Sequence, residues 1–578
     1  MIFLKLWGLL NLKFRIKFLY LLLATVLITA LEMMSIGLII PISYFFFSSD
    51  VSNFPFIQNF FDLINFYAVK YNQETIIILF CFVVIIFFIK FIFQTFFVFY
   101  QAKFNADIQV FISKLMLQKF STFNYGEYTK NNSSDLLRNI NNEVNVLANN
   151  VSMPTLQIIT EFFIIFGMII LLLFVNIFVT IVTTIIFLIS GFILLNTTKK
   201  ILVLAGEERQ KYDGFRIKIL NILHGGFKEI KVFNKLNYFI ESYNEKNKRF
   251  AYAYKKQIAL SQLPRFLLEI LTVVCLLILV IVLISKNTSN LEIITFLSIF
   301  AGCAFKIMPA ANRIIRSLQM LKFGKSSIQV ISNFLLKTNN ILSKNKSLIK
   351  DSNSNSNIFF KINNFNFFYD NKRNDFKFNN LNFELKKNET IGIIGSSGSG
   401  KSTLVNFITG IEKPNSGSIT TFGKNIYEDI FSWRSKIGYV PQDIFLIEDS
   451  IKKNIAIGIE NNLIDENRII NVLKKVQMHD FILSLNDGIN TIIGERGLNI
   501  SGGQKQRLGI ARALYNNPEI LIFDEATSAL NTEIENEIIS QIYDLKESIT
   551  IIIITHKPSI LEKCNKIYRM INGDLVLI

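Results

Sequence analysis

Eight consecutive residues, Gly395-Ser-Ser-Gly-Ser-Gly-Lys-Ser402, constrain this chain more than any other feature. They fit G-x-x-x-x-G-K-[ST] without a mismatch, after the apolar run 391–394 and before the helix-compatible stretch 403–409. A strand, a glycine-rich loop and a helix start in that order form a phosphate cradle. The glycines let consecutive backbone N–H groups curl around phosphate oxygens, and the helix N-terminus adds partial positive charge. Gly395, Ser396, Ser397, Gly398, Ser399, Gly400 and Thr403 supply the loop and its first helical turn. Lys401 has the reach for the β- and γ-phosphates, and Ser402 the hydroxyl for Mg²⁺. The segment therefore predicts a nucleoside-triphosphate site on an α/β fold.

The remainder of the chain is not an ordinary soluble enzyme. Its 578 residues exceed a single core, and a hydrophobic fraction of 51% with mean hydropathy +0.37 is high for a soluble protein. The excess is concentrated in the first 320 residues or so. The net charge of +17 fits lysine- and arginine-rich loops beside a membrane, and no nucleic-acid partner is expected. Four scattered cysteines and three separated histidines offer neither a disulfide framework nor a metal cluster.

Six apolar segments, near 17–46, 76–103, 151–175, 178–200, 256–285 and 292–322, each approach or exceed the roughly 20 residues that cross a bilayer as helix. The loops alternate: 104–150 and 199–256 are long and basic, whereas 174–178 and 286–292 are short and nearly uncharged. That asymmetry predicts a cytoplasmic N-terminus and cytoplasmic long loops, with helices that run on beyond the bilayer. Lys5, Lys13, Arg15 and Lys17 precede the first segment without a small-residue cleavage site, which predicts an anchor. Between the first two spans, 53–71 carries apolar residues at helical spacing and predicts an amphipathic helix, lying either on the outer membrane surface in reach of membrane lipids or packed on the ends of the spans. Two stretches expected in the cytoplasm, 121–142 and 221–239, interrupt helical patterns with Gly and polar punctuation, as short crosswise helices require. The expected division is a helical membrane domain 1–335, a polar linker 336–357 and an α/β domain 358–578.

That last domain carries more chemistry. The apolar strand 520–523 ends in Asp524-Glu525, an arrangement in which the aspartate can hold Mg²⁺ and the glutamate can polarise water. Ser501-Gly-Gly-Gln504 can offer N–H groups and a hydroxyl to a phosphate.

With these motifs in this order, the chain resembles the ATP-binding-cassette family over essentially its whole length. The resemblance implies a type I exporter: an all-α six-helix membrane domain followed by an α/β P-loop nucleotide-binding domain. It implies ATP and Mg²⁺ as cofactors. It makes Tyr369 the aromatic that stacks on adenine. Gln442, in Tyr439-Val-Pro-Gln442, becomes the loop glutamine that contacts Mg²⁺. Ser501, Gly502, Gly503 and Gln504 become the signature turn, which reaches the ATP of a partner domain. Asp524 becomes the metal-holding aspartate, Glu525 the catalytic base, His556 the γ-phosphate switch, and Glu495 a residue facing the membrane domain. The sequence departs from the family at Ile500 (usually Leu), at Thr555 and Lys557 (usually Ala and Arg), and at Asn531 (usually Asp). One copy of each motif implies a half-transporter working as a homodimer with two composite sites.

Ionisable residues inside spans are costly and generally functional. Here five bases, Lys90, Arg265, Lys306, Arg313 and Arg316, face three acids, Glu32, Glu161 and Glu269. Glu269 follows Arg265 at helical salt-bridge spacing. The surplus suits an anionic, phosphorylated substrate. Lys306-Ile-Met-Pro-Ala-Ala-Asn-Arg313, Gln262-Leu-Pro-Arg-Phe-Leu-Leu-Glu269 and the external amphipathic segment are similar to the PglK-type flippases of lipid-linked oligosaccharides in bacterial protein N-glycosylation. That resemblance implies that Lys90, Arg265, Lys306 and Arg313 engage the pyrophosphate of a polyprenyl-linked glycan in a bacterial inner membrane. The alternatives are an exporter of drugs, peptides or lipid A, and an ATP-gated membrane protein that does not pump.

Overall fold

The computed structural model describes residues 2–37, 75–123, 125–130, 133–175, 177–285, 290–336, 358–368, 377–494, 500–526, 532–546 and 548–578. The chain divides into two compact units, one of Met1–Thr122 with Asn131–Ile341 and one of Phe123–Lys130 with Leu342–Ile578. The predicted external helix at 53–71, most of the linker, Tyr369, Glu495 and Asn531 lie outside the described residues.

The first unit is helical throughout its described residues. Five of its helices are long and apolar enough to cross a membrane. They account for the first five predicted spans. The sixth falls in the helix Asn290–Phe323, which carries Lys306, Arg313, Arg316 and Lys322. Three helices far exceed bilayer thickness: Thr75–Phe120 with 46 residues, Ile177–Gly225 with 49 and Leu236–Ser285 with 50. At about 1.5 Å per residue, fifty residues reach roughly 75 Å, against a hydrocarbon core of about 30 Å. The predicted extension of the spans is therefore real. Both predicted interruptions are short helices, Tyr125–Lys130 and Phe227–Val232. A further helix, Ile2–Leu9, precedes the first span.

Away from the apolar spans, one ion pair ties three helical segments of this unit. Arg209 donates to Glu143 at 2.7 Å and to Ser327 at 2.9 Å, with Arg209 1% and Glu143 0% exposed. Glu143 closes a π-helical stretch, Arg138–Glu143, and a second one, Ala148–Ser152, follows after a single turn. The wider π turn redirects the face that the segment presents.

The second unit is built on two sheets. β1 (Ile358–Phe368), β2 (Lys377–Lys386), β4 (Ser416–Thr421) and β5 (Lys424–Asn425) form an antiparallel sheet in the order β2-β1-β4-β5. β3 (Thr390–Gly395), β6 (Ile437–Val440), β7 (Ile520–Asp524), β8 (Thr550–Ile554), β9 (Lys566–Ile571) and β10 (Asp574–Leu577) form the other, in the order β10-β9-β3-β8-β7-β6. From β9 to β6 every neighbouring pair is parallel. The central strands read as unbroken apolar runs because both faces are covered. Leu521, Phe523, Ile551 and Ile553 enter one core, and Ile520, Ile522, Ile552 and Ile554 the other. The helix Tyr125–Lys130 groups with this unit: a Cβ on Gly126 would stand 2.7 Å from the Glu412 carboxylate.

Truncating Arg209 to Ala would leave the buried Glu143 carboxylate with only the longer Arg138 contact at 3.8 Å, at an expected cost of about 3 kcal/mol. Thermal unfolding of the purified protein in detergent should show the loss. Replacing Arg209 and Glu143 together by apolar residues of similar volume should recover most of it.

Candidate functional site

Strand order assembles the candidate site. In parallel α/β sheets, ligands bind outside the carboxyl ends of the strands. Here the Gly395–Ser402 loop follows β3, His556 follows β8, Glu525 follows β7 and Gln442 follows β6. These four strands are consecutive neighbours in the sheet, although their chain order is β3, β6, β7, β8. Their loops consequently converge on one edge.

The loop has the backbone its glycines predict. Gly398 has φ +81° and Gly400 φ +111°, values that residues with a Cβ rarely adopt. Gly400 caps the helix Lys401–Ile408 without a side-chain hydrogen bond, so the first-turn N–H groups are directed to the loop rather than to a capping side chain. Lys401 is buried, and its ammonium donates to the carbonyls of Gly395 at 2.9 Å and Ser396 at 3.0 Å. The Ser399 hydroxyl is buried with no partner among the described residues. A cradle of N–H groups, one buried ammonium and an unsatisfied hydroxyl fits a polyphosphate.

Glu525 is the hub of the facing side. It has φ +52°, a strained value for a residue with a side chain, and its N–H is held by the Ile554 carbonyl at 2.9 Å. Its carboxylate meets His556 Nε2 at 2.5 Å, Gln442 Nε2 at 3.1 Å and Lys401 Nζ at 3.7 Å. Asp524 is buried beside it and accepts from the Tyr439 hydroxyl at 3.3 Å. Burial pushes the Asp524 carboxyl above the ordinary aspartate range; the Glu525 charge adds to this, while the Tyr439 bond and the Lys401 charge oppose it. Tyr439 is itself raised, first by burial and then by the Asp524 charge, so it remains a neutral donor. The hydroxyl of Ser402, the amide oxygen of Gln442 and the carboxylate of Asp524 are all hard oxygen donors, the set that suits Mg²⁺.

Lys401, Gln442, Asp524, Glu525 and His556 are thus brought together as the sequence predicts. The signature turn is built differently. Ser501 caps the helix Gly502–Tyr515, and Ser501 and Gln504 hydrogen-bond each other reciprocally, at 2.8 and 3.3 Å. Their polar groups are used within the turn, which presents the end of a 14-residue helix. Tyr439 was not singled out by its residue type. Its signal is positional: β6 pairs with β7 in parallel, and Tyr439 stands opposite Ile522.

In the membrane unit every one of the four predicted substrate bases has an acidic partner. Lys90 donates to Glu32 at 2.7 Å and to Ser35 at 3.3 Å, and both members of the pair are buried. Lys306 approaches the same Glu32 at 3.3 Å, and Gln94 donates to it at 2.7 Å. Arg313 grips Glu161 with two nitrogens at 2.5 and 2.9 Å, while 48% of its side chain stays exposed. Arg265 meets Glu269 at 2.9 Å, the helical pair that their spacing predicts. The surplus of positive charge therefore resides in two lysines sharing Glu32 and in Arg316, which has no ion pair among the described residues.

A membrane-embedded helical unit and a P-loop unit with a strand-end Asp-Glu pair define a membrane protein that binds ATP. Residues 18–306 match the ABC transporter transmembrane region, and residues 378–528 match the ABC transporter family. The chain belongs to the ABC transporter family, as a multi-pass half-transporter with one membrane region and one ATP-binding region. That ATP-binding region implies an ATPase coupled to substrate transport. An uncharacterised ABC transporter ATP-binding protein of Bacillus subtilis (strain 168), YfiB, is 31% identical over 497 residues, 83% of this chain and 82% of its own length. The leukotoxin translocation ATP-binding protein LktB of Mannheimia glucosida is 45% identical over 199 residues, but those are 34% of this chain and only 28% of that protein. The structure of a bacterial Atm1-family ABC exporter with ATP bound superposes with a TM-score of 0.78, covering 98% of this chain and 95% of that one at 20% identity. The fold is that of a type I exporter: the predicted helical domain followed by the predicted α/β domain.

Glu525→Gln keeps the volume but removes the charge and one of the two acceptor oxygens that meet His556, Gln442 and Lys401. ATP hydrolysis should fall by about 10²–10⁴-fold, while fluorescent-nucleotide titration should show ATP binding retained.

Proposed function

We propose that two copies of this chain pair head to tail and use ATP to flip a polyprenyl-pyrophosphate-linked oligosaccharide from the cytoplasmic to the periplasmic leaflet of a bacterial inner membrane. The pathway served is protein N-glycosylation or a related glycan assembly. The ATP-binding units lie on the cytoplasmic side in this reading. Each ATP sits between the Gly395–Ser402 loop of one copy and the Ser501–Gln504 turn of the other. Lys401 and the first amides of its helix bind the phosphates, and Tyr369 stacks on the adenine. Ser402, Gln442 and Asp524 hold Mg²⁺, which when bound neutralises developing phosphate charge. Glu525, oriented by His556 and Gln442, takes the proton of the attacking water. Binding closes the pair and hydrolysis reopens it, so that the spans alternate between inward- and outward-facing arrangements.

The observation that carries the substrate reading is the cluster in which buried Lys90 and half-buried Lys306 share the single carboxylate of Glu32. Two ammonium groups share one counter-ion, which leaves one positive charge uncompensated, and within the spans that is a strong invitation to an anion. Arg313, half exposed while gripping Glu161, adds a fork that fits a phosphate. Sugars would pass through this polar interior while the polyprenyl tail stays in the bilayer. A second reading, export of a drug, peptide or lipid A, draws on the leukotoxin translocation relatives, whose likeness covers 34% of the chain.

ATPase activity of the purified protein should rise with added polyprenyl-pyrophosphate-linked oligosaccharide. Changing Lys90, Arg265, Lys306 and Arg313 together to Gln should reduce that stimulation by about tenfold or more, given roughly 1.5–3 kcal/mol per charged hydrogen bond. Basal hydrolysis should persist. Undiminished stimulation would remove the cavity role.

A further inference from the structure

The parallel register of β6 and β7 places Tyr439 opposite Ile522, so the two side chains leave the same face of the sheet. Asp524 lies two residues further along β7 and returns to that face, as the diagonal neighbour of Tyr439. Core packing agrees: Ile520 and Ile522 share a cluster with the Tyr439 ring, whereas Val440 and Phe523 belong to the opposite one. The tyrosine ring is thereby fixed by packing, and its hydroxyl reaches Asp524 Oδ2 at 3.3 Å. Among the described residues this is the side-chain hydrogen bond that Asp524 makes. A strand-end carboxylate buried to 8% exposure, with one rigidly mounted donor, is held in one orientation before any cation arrives. The backbone turns sharply at the next residue, Glu525, so the position of Asp524 also sets where Glu525 begins.

We propose that Tyr439 is a positioning residue for the divalent cation: its hydroxyl fixes the Asp524 carboxylate in the orientation that receives the metal. The proposal rests on the reading of Asp524 as the metal-holding carboxylate. Tyr439 touches neither nucleotide nor metal in this account, and acts only through Asp524. Tyr439 is also two residues before Pro441-Gln442, so the same strand end orients both an amide and a carboxylate toward one cation.

The test is Tyr439→Phe in the full-length protein, which keeps the packed ring and removes the hydroxyl. Mn²⁺ binding is followed by the loss of free Mn²⁺ signal in electron paramagnetic resonance, with a non-hydrolysable ATP analogue present. The parent should bind Mn²⁺ tightly with the analogue and weakly without it. The variant should need roughly three- to tenfold more Mn²⁺, the size of an ordinary hydrogen bond's net contribution. Analogue affinity measured in EDTA, and the melting temperature, should stay within the parent's range. A variant whose Mn²⁺ midpoint matches the parent's overturns the positioning role and leaves Asp524 as the ligand. Equal losses in EDTA affinity and melting temperature overturn it in favour of a packing role. A parent without analogue-dependent Mn²⁺ binding, or an Asp524→Asn variant that binds as the parent does, overturns the reading of Asp524 and this inference with it.

Discussion

The carboxyl edge of one parallel sheet is the constraint on which the rest depends. Four loops end on it from strands far apart in sequence, and every buried charge of the ATP site is positioned by a strand end. Lys401 is held by two carbonyls of its own loop, and Glu525 by a positive-φ turn pinned to Ile554. Rigid apolar strands on both faces make that edge stiff. This is what allows a carboxylate, an imidazole, an amide and an ammonium to meet within hydrogen-bonding or ion-pairing distance before a ligand organises them.

The membrane unit solves a related problem by different means. Charges in apolar surroundings persist only when paired or used. Arg265 with Glu269 and Arg313 with Glu161 are one-to-one pairs, whereas Glu32 serves two lysines. The imbalance is local, between Lys90, Glu32 and Lys306, and it concentrates the surplus positive charge at one place. Elsewhere in the same unit, Arg209 and Glu143 form a fully buried pair beside two π-helical stretches. These pairings tie residues of different helices together and so help fix how the helices register.

Much of this was legible in the sequence, because the signals are local. The Gly395–Ser402 spacing dictates its own backbone, the apolar lengths dictate spans, and Gly126 and Gly226 mark where long helices break. The pair Arg265–Glu269 follows from helical spacing alone. What was not legible is non-local. Nothing in the chain order β3, β6, β7, β8 reveals the spatial order β3-β8-β7-β6 that brings His556 and Gln442 onto one carboxylate. Tyr439 acquires its contact with Asp524 only through that strand pairing. The sharing of Glu32 by Lys90 and Lys306, separated from it by 58 and 274 positions, is likewise a product of helix packing.

The most direct test is movement of the substrate itself. Purified protein would be reconstituted in liposomes carrying a labelled polyprenyl-pyrophosphate-linked oligosaccharide on the leaflet that faces the ATP-binding units. Appearance of the label on the opposite leaflet would then be followed with and without ATP. The account predicts ATP-dependent transfer that stops when Glu525 is replaced by Gln. Vigorous ATP hydrolysis with no transfer would contradict it, leaving the ABC transporter in place with a different cargo.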